Sequence, residues 1–298
     1  MVRIRQSLLV AMYNFRRWHK NPRVFITFAL CFILCFLLSD KAVRFSRDYE
    51  TVMQIVEAFV WTFADSNSIL LSSLLLILLF SDMPFINLGT PFYLLRTNRK
   101  TWLLGQTIYI VLTTGVYMLF TLLATSLVCM HNSFAGNMWS ETAAILGYSG
   151  AGVKIALPAL VKTLEMSTPY KAMGTIFLLM LFYALLMSFV MLTASIIKNK
   201  LAGVISAFIF SLFGFLLNPS LIKTLFGLSD YAMYKANVAA GWISPLNHAT
   251  YHMHNFGYDM LPRLWQTYVI FGALIVLCFI LALRSIDRYN FNFSGTED

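Results

Sequence analysis

A few residues in this chain have types and spacings that could do chemistry, and their neighbours constrain each one. The string NHATYHMH carries His248, His252 and His254. His248 and His252 stand four apart, which would put two imidazoles on one helical face, as in a metal site. Membrane di-iron enzymes need several such boxes. Here there are only five histidines, and His19 and His131 lie elsewhere in the chain. The string therefore reads as a solvated outer loop or as a polar cluster satisfied by protein groups. A nucleotide-binding loop requires G-x-x-x-x-G-K-[ST]. The nearest string, GYSGAGVKI from Gly147 to Ile155, displaces Lys154 by one place and follows it with Ile155. No phosphate loop and no ATPase domain are expected. Cys31, Cys35, Cys129 and Cys278 form no C-x-x-C pair and sit in or beside apolar runs, as small buried hydrophobes do. Asp82 is the clear acid at membrane depth. It is expected to pair with Arg96, with Arg99 or with an N-terminal arginine, because no second acid lies in an apolar run to share an ion or proton.

The elements that must position these residues follow from composition. Of 298 residues, 59% are hydrophobic and 12% charged, and the mean hydropathy is +0.71. So few charges cannot coat a water-soluble fold, which excludes a soluble enzyme, a disordered chain and a disulfide scaffold. The apolar runs are continuous and not alternating, which disfavours a barrel. The expected fold is an all-α polytopic membrane protein, a single transmembrane domain over 1–298. Its six spans are expected at about 24–39, 68–86, 103–128, 173–197, 201–217 and 266–283. The first run follows a long basic stretch, and no small-residue cleavage site follows it. It reads as a retained span and not a signal peptide. Residues 2–18 place Ile4, Leu8, Leu9, Met12 and Phe15 on one face, which predicts an N-terminal amphipathic helix over 1–23 that lies in the interface or packs on a partner protein, two compatible readings.

Charge sets the expected orientation. With the N-terminus inside, 13 of the 22 Lys and Arg residues and four of the 13 acids face the cytoplasm. The inner side then carries +9 and the outer side 0. The positive-inside bias therefore predicts a multi-pass protein of the cell membrane with both termini cytoplasmic. That charge also sits where anionic lipid attracts it, so the basic pI does not call for nucleic acid as a partner.

The connections are uneven. On the outer side, 40–67, 129–172 and 218–264 are long and apolar, with short helical pieces and an amphipathic stretch YETVMQIVEAFVWTF. On the inner side, 88–102 is bracketed by Pro84, Gly89 and Pro91, which break helices. It runs Phe92, Tyr93, Leu94, Leu95 and then Arg96, Arg99, Lys100 and Trp102. These residues are expected within one short helix at the membrane surface.

The layout resembles the permease subunit of bacterial ABC exporters of the type-2 family. The strings that carry the likeness are LLFSDMPFINLGTPFYLLRTNRKTWLLGQTIYI and GWISPLNH. The first contains an Arg-x-x-Arg-x-x-Trp pattern at Arg96, Arg99 and Trp102. The resemblance implies an N-terminal connecting helix, six spans, short re-entrant helices before the sixth, and a coupling helix over 88–102. It also implies separate ABC ATPase subunits as partners and a second permease chain, like or related. No cofactor is then bound by this chain, since ATP belongs to the partner, and the chain is not itself an enzyme. The cargo class implied is amphipathic, peptide-like or lipid-like, and its direction export. A secondary carrier or a membrane scaffold is the alternative. A membrane-embedded enzyme is a weaker one, because no acid, histidine and serine groups gather at one depth.

Overall fold

The computed structural model describes residues 4–86, 90–155, 157, 159–227, 229–257 and 259–291, without the side chains of Tyr93 and Val153. The described chain is all-α apart from a two-residue parallel pairing of Met53–Gln54 with Ser133–Phe134. In chain order the helices are α1 (Ile4–Arg16), α2 (Pro22–Asp48), α3 (Glu57–Phe63), α4 (Ser66–Phe80), α5 (Thr90–Leu94), α6 (Arg99–Cys129), α7 (Glu141–Tyr148) and α8 (Ala151–Lys154). They continue as α9 (Val161–Met166), α10 (Pro169–Ile197), α11 (Lys200–Leu216), α12 (Pro219–Leu225), α13 (Met233–Ile243), α14 (Pro245–Ala249) and α15 (Leu264–Ser285).

Four of these, α2, α6, α10 and α15, are long and apolar enough to cross a membrane. The number rises to six if each of two bent pairs is one span. In the first pair α3 meets α4 at 91°, and in the second α11 meets α12 at 79°. The predicted runs thus all lie in helices, but their edges move. The run predicted at 24–39 extends as α2 to Asp48, carried by an Arg44–Asp40 ion pair one turn apart. The run predicted at 68–86 stops as helix at Phe80, before the turn that leads to Pro84.

Local chemistry explains many of the starts. Asn21, Asp65, Asn199, Asn218 and Ser244 each accept a backbone N–H of the first turn. Proline follows in the first turn of α2, α12 and α14, where its missing N–H costs nothing.

The centre of the bundle is α10. Two-thirds (67%) of its apolar window is buried, against 17% for α15, which therefore presents most of its surface outward. Helices approach closely where side chains are small, as membrane helices do. A Cβ on Gly203 of α11 would lie 2.8 Å from the Met191 carbonyl of α10. Hydroxyls turn inward to backbone carbonyls, as Tyr117 does to Ser72 at 2.8 Å.

Within the stretch 49–63, Tyr49, Glu50 and Val52 are exposed and the helix is interior. All seven residues of α3 are buried. Trp61 stacks on Trp139 at 5.3 Å, and the Glu57 carboxylate accepts from Ser140 N at 2.8 Å and Ser140 Oγ at 2.5 Å. Helices α2, α6 and α10 also pack against α3, so both its faces are covered by protein.

Candidate functional site

The segment singled out by sequence lies at one end of the bundle. Helix α5 is only five residues long, and Leu95 N closes its end on the Pro91 carbonyl at 3.1 Å. Phe92 is 70% exposed and Leu95 85% exposed. Leu94 is half-buried against the core, and Arg96 is exposed. Leu88, Gly89 and the Tyr93 side chain lie outside the described residues.

The expectation of one short helix from Phe92 to Lys100 is corrected. The backbone extends at Asn98, and Arg99 and Lys100 form the first turn of α6. They belong to a long helix, not to the apolar piece ahead of it. Trp102 is also not a surface anchor. It is fully buried, with its ring edge against Phe291 at 5.1 Å.

Arg99 reaches the chain beyond α15. Its Nη1 donates to the carbonyls of Asp287 at 2.9 Å, Tyr289 at 3.0 Å and Ile286 at 3.4 Å. Its guanidinium also stands 5.3 Å from the Phe291 ring centre. Lys100 pairs with Asp287 at 3.7 Å. A cation on the last carbonyls of a helix satisfies unpaired acceptors and complements the helix dipole. The start of α6 and the end of α15 are thereby tied together.

A second tie holds the chain entering α5. Gln106, two turns into α6, accepts from Phe85 N at 3.3 Å and donates to the Phe85 carbonyl at 3.4 Å. Asn14 of α1 donates to the same Gln106 oxygen at 3.5 Å. Helix α1 lies against α6 through Ser7, Val10, Ala11 and Asn14. The approach is close, since a Cβ on Gly105 would come within 2.7 Å of Val10 Cβ. Ser7 Oγ donates to the Thr101 carbonyl at 3.0 Å, and Trp18 Nε1 to Tyr109 OH at 2.8 Å. The apolar face of α1, with Ile4, Leu8, Leu9 and Met12, stays exposed on the other side. Asp82 pairs with Arg23, which also bonds Ser81 Oγ at 3.0 Å. Both charges are partly exposed, so the pair contributes little to stability.

At the other end, the three histidines of the 248–254 string do not converge as the i, i+4 spacing proposed. His248 and His254 bond the same hydroxyl, Thr267 Oγ1. His252 turns away, and its buried Nδ1 finds no partner. The cluster is therefore an interior one and not a solvated loop. Among the described residues no group of three His, Cys, Asp or Glu side chains is placed to hold a metal. Lys154 of the phosphate-loop-like string follows helix α7 and not a strand, so the cradle such a loop needs is not formed.

Sequence reading missed Gln106, Asn14, Phe85, Asp287, Phe291 and Thr267. The signal for Gln106 was present, as an amide inside a long apolar run. Its partner was not, because Phe85 contributes only backbone. No family model, no curated protein and no solved structure matches this chain.

Proposed function

We propose that this chain is the membrane-spanning permease subunit of an ATP-driven ABC transporter, with six spans and both termini in the cytoplasm. ATP is bound and hydrolysed by separate ATPase subunits. A second permease chain, of the same or related sequence, completes the translocation path through the cell membrane. The cargo is amphipathic, peptide-like or lipid-like, and it is exported. The chain itself makes no covalent bond.

One observation carries this reading. Phe92 on the one-turn helix α5 and Leu95 just past its end are large, apolar and exposed, and the two flanks are pinned to the bundle. Isolated apolar side chains on a protein surface are ordinary. Two of them at a short helix fixed to a rigid base, beside Arg96 and Lys100, have the form of a helix that enters a groove of another chain. The basic residues would lie at the rim, where charge sets orientation and association rate. Movement imposed on α5 passes to α6 through Asn98 and Gln106, and to α15 through Arg99. That path links a docked ATPase to the span packed on α10.

The test is purification of the full chain from its native membranes with its ATPase. Vanadate-sensitive ATP turnover should copurify. The Phe92→Ala, Leu95→Ala double variant should insert normally and lose it. Full ATPase retention in that variant, or in the Phe92→Ala, Tyr93→Ala variant, refutes the docking assignment. Labelling of a single cysteine at position 97 from outside intact cells refutes the orientation.

A further inference from the structure

Away from α5, at the opposite end of α15, two buried imidazoles close on one hydroxyl. Thr267 stands 18 residues before Ser285, about 27 Å along the helix. His248 contacts the Trp242 carbonyl through Nε2 at 3.0 Å and Thr267 Oγ1 through Nδ1 at 2.8 Å. His254 contacts the carbonyls of Thr250 and Tyr251 through Nδ1 at 3.0 and 3.2 Å, and the same Thr267 Oγ1 through Nε2 at 3.0 Å. All three residues are buried.

The protons in this chain of contacts can be counted. A carbonyl only accepts, so His248 must carry its proton on Nε2 and His254 on Nδ1. In neutral rings the inward nitrogens, His248 Nδ1 and His254 Nε2, are bare acceptors. Both then aim lone pairs at the Thr267 oxygen, which has one proton to give. One imidazole is satisfied and the other faces an oxygen with no hydrogen between them, a buried mismatch that costs free energy. One added proton removes the mismatch. One ring becomes imidazolium and donates to Thr267 Oγ1, and the hydroxyl donates to the other ring.

We propose that His248, Thr267 and His254 form a binding site for a single proton, held by one imidazole and relayed to the other through the Thr267 hydroxyl. The proton comes from water and no covalent bond to carbon, nitrogen or oxygen of the backbone changes. The charge passes from one ring to the other when the imidazolium gives its N–H proton to Thr267 Oγ1 as the hydroxyl gives its own proton to the other ring. When the proton leaves, one of the two contacts to Thr267 opens, so loading is linked to the seating of residues 248–254 on α15.

The surrounding charges set where the site loads. Lys162 of α9 bonds the His252 carbonyl at 3.2 Å and pairs with Asp259. Asp65, the cap of α4, acts on His252. Tyr251 bonds Ser167 Oγ at 3.0 Å, and Tyr268 lies within its influence. Burial pushes His248 below the ordinary histidine value. Burial pushes His254 down to about 4, against which its carbonyl contacts act, while His248 and Lys162 push the same way as burial. The site therefore loads on the acid side of an ordinary histidine, and the first proton opposes a second.

The experiment uses the full chain in lipid nanodiscs with ¹⁵N-labelled histidine, titrated from pH 8 to pH 4. The expected result is uptake of one proton by the pair, with the resonances of both rings moving together. Thr267→Val removes the relay. The rings should then titrate independently, and the first proton should bind about tenfold more weakly, one unit lower. Thr267→Ser keeps the hydroxyl and should restore the shared titration. Two independent protonations in the unmodified chain overturn the proposal, as does a Thr267→Val chain that titrates unchanged. Should Thr267→Val not fold, the titration of the unmodified chain decides.

Discussion

At the α5 end of the bundle charges lie outside, on backbone carbonyls and on each other, while Phe92 and Leu95 are left uncovered. At the Thr267 end the arrangement is inverted. His248, His254 and Thr267 are inside, each polar atom aimed at another, with Phe271 lying 5.9 Å from the His248 ring. An exposed apolar pair on a pinned base is suited to contact with another chain, because the ordering cost is already met and the apolar area remains to be buried. A buried polar triad has no reach outward. What it can do is hold one local arrangement and change it with a proton. The difference underlies the two proposed roles, docking of a partner at one end and registering of a proton at the other.

The comparison can be tested by perturbing each end, starting with the largest effect. Trp102→Ala should destabilise the chain by ~3–5 kcal/mol, the usual loss for a buried tryptophan. It empties the space against Phe291 and frees the tie between α6 and α15, and a thermal melt in detergent measures it. If Trp102→Ala melts like the parent, the α5 end is not the rigid base described.

Acid should act at the other end. His254 is held below the ordinary histidine value, at about 4. A depressed histidine contributes stability that is complete above its unfolded value and is lost as pH falls toward the folded one. Stability should therefore decline between roughly pH 6.5 and pH 4, by at most about 3 kcal/mol. The decline should be smaller in His254→Gln, which cannot take up a proton at that position while His248 and His252, also held low by burial, still can.

Phe92→Ala with Leu95→Ala should leave the melt of the isolated chain within about 0.5 kcal/mol, since both side chains are exposed. The same pair should cost ~2 kcal/mol or more in affinity for the ATPase, about thirtyfold. Lys100→Ala should cost no more than ~1 kcal/mol, and only at low salt, because its pairing with Asp287 is exposed. A Lys100→Ala loss that survives high salt would place the lysine inside a contact and erase the distinction between rim and anchor.

Some of this was legible from residue order. The apolar runs stood out because a helix must satisfy its own backbone within lipid, and so every crossing is written as a continuous apolar stretch. The breaks at Pro84, Gly89 and Pro91 marked the approach to α5 for the same local reason. The boundary between α5 and α6 was not legible. It rests on the extended backbone at Asn98, and no side-chain cap announces it.

The periodicity of 49–63 says only that one helical face differs from the other, not what covers each. In the fold, Ser140 and Trp139 arrive from some eighty residues away onto α3, and α2, α6 and α10 pack against it as well. The histidine string was legible in part, as a polar cluster satisfied by protein groups, but its partners were not. Four residues apart puts two rings on one face of a helix, but α14 ends at Ala249 and His254 returns through a turn to share Thr267 with His248.

Apolar length, helix-breaking residues and the charge imbalance are local quantities, and the residue order determined them: an all-helical chain and the approximate place of each apolar helix. Contacts between distant segments are not local. That Arg99 would cap the carbonyls after α15, that Gln106 would hold the backbone of Phe85, and that Thr267 would stand between two imidazoles depended on how the helices came together. Each of these bonds has a partner that is a carbonyl, an amide or a common hydroxyl, groups found throughout the chain, and only packing selects which one is met.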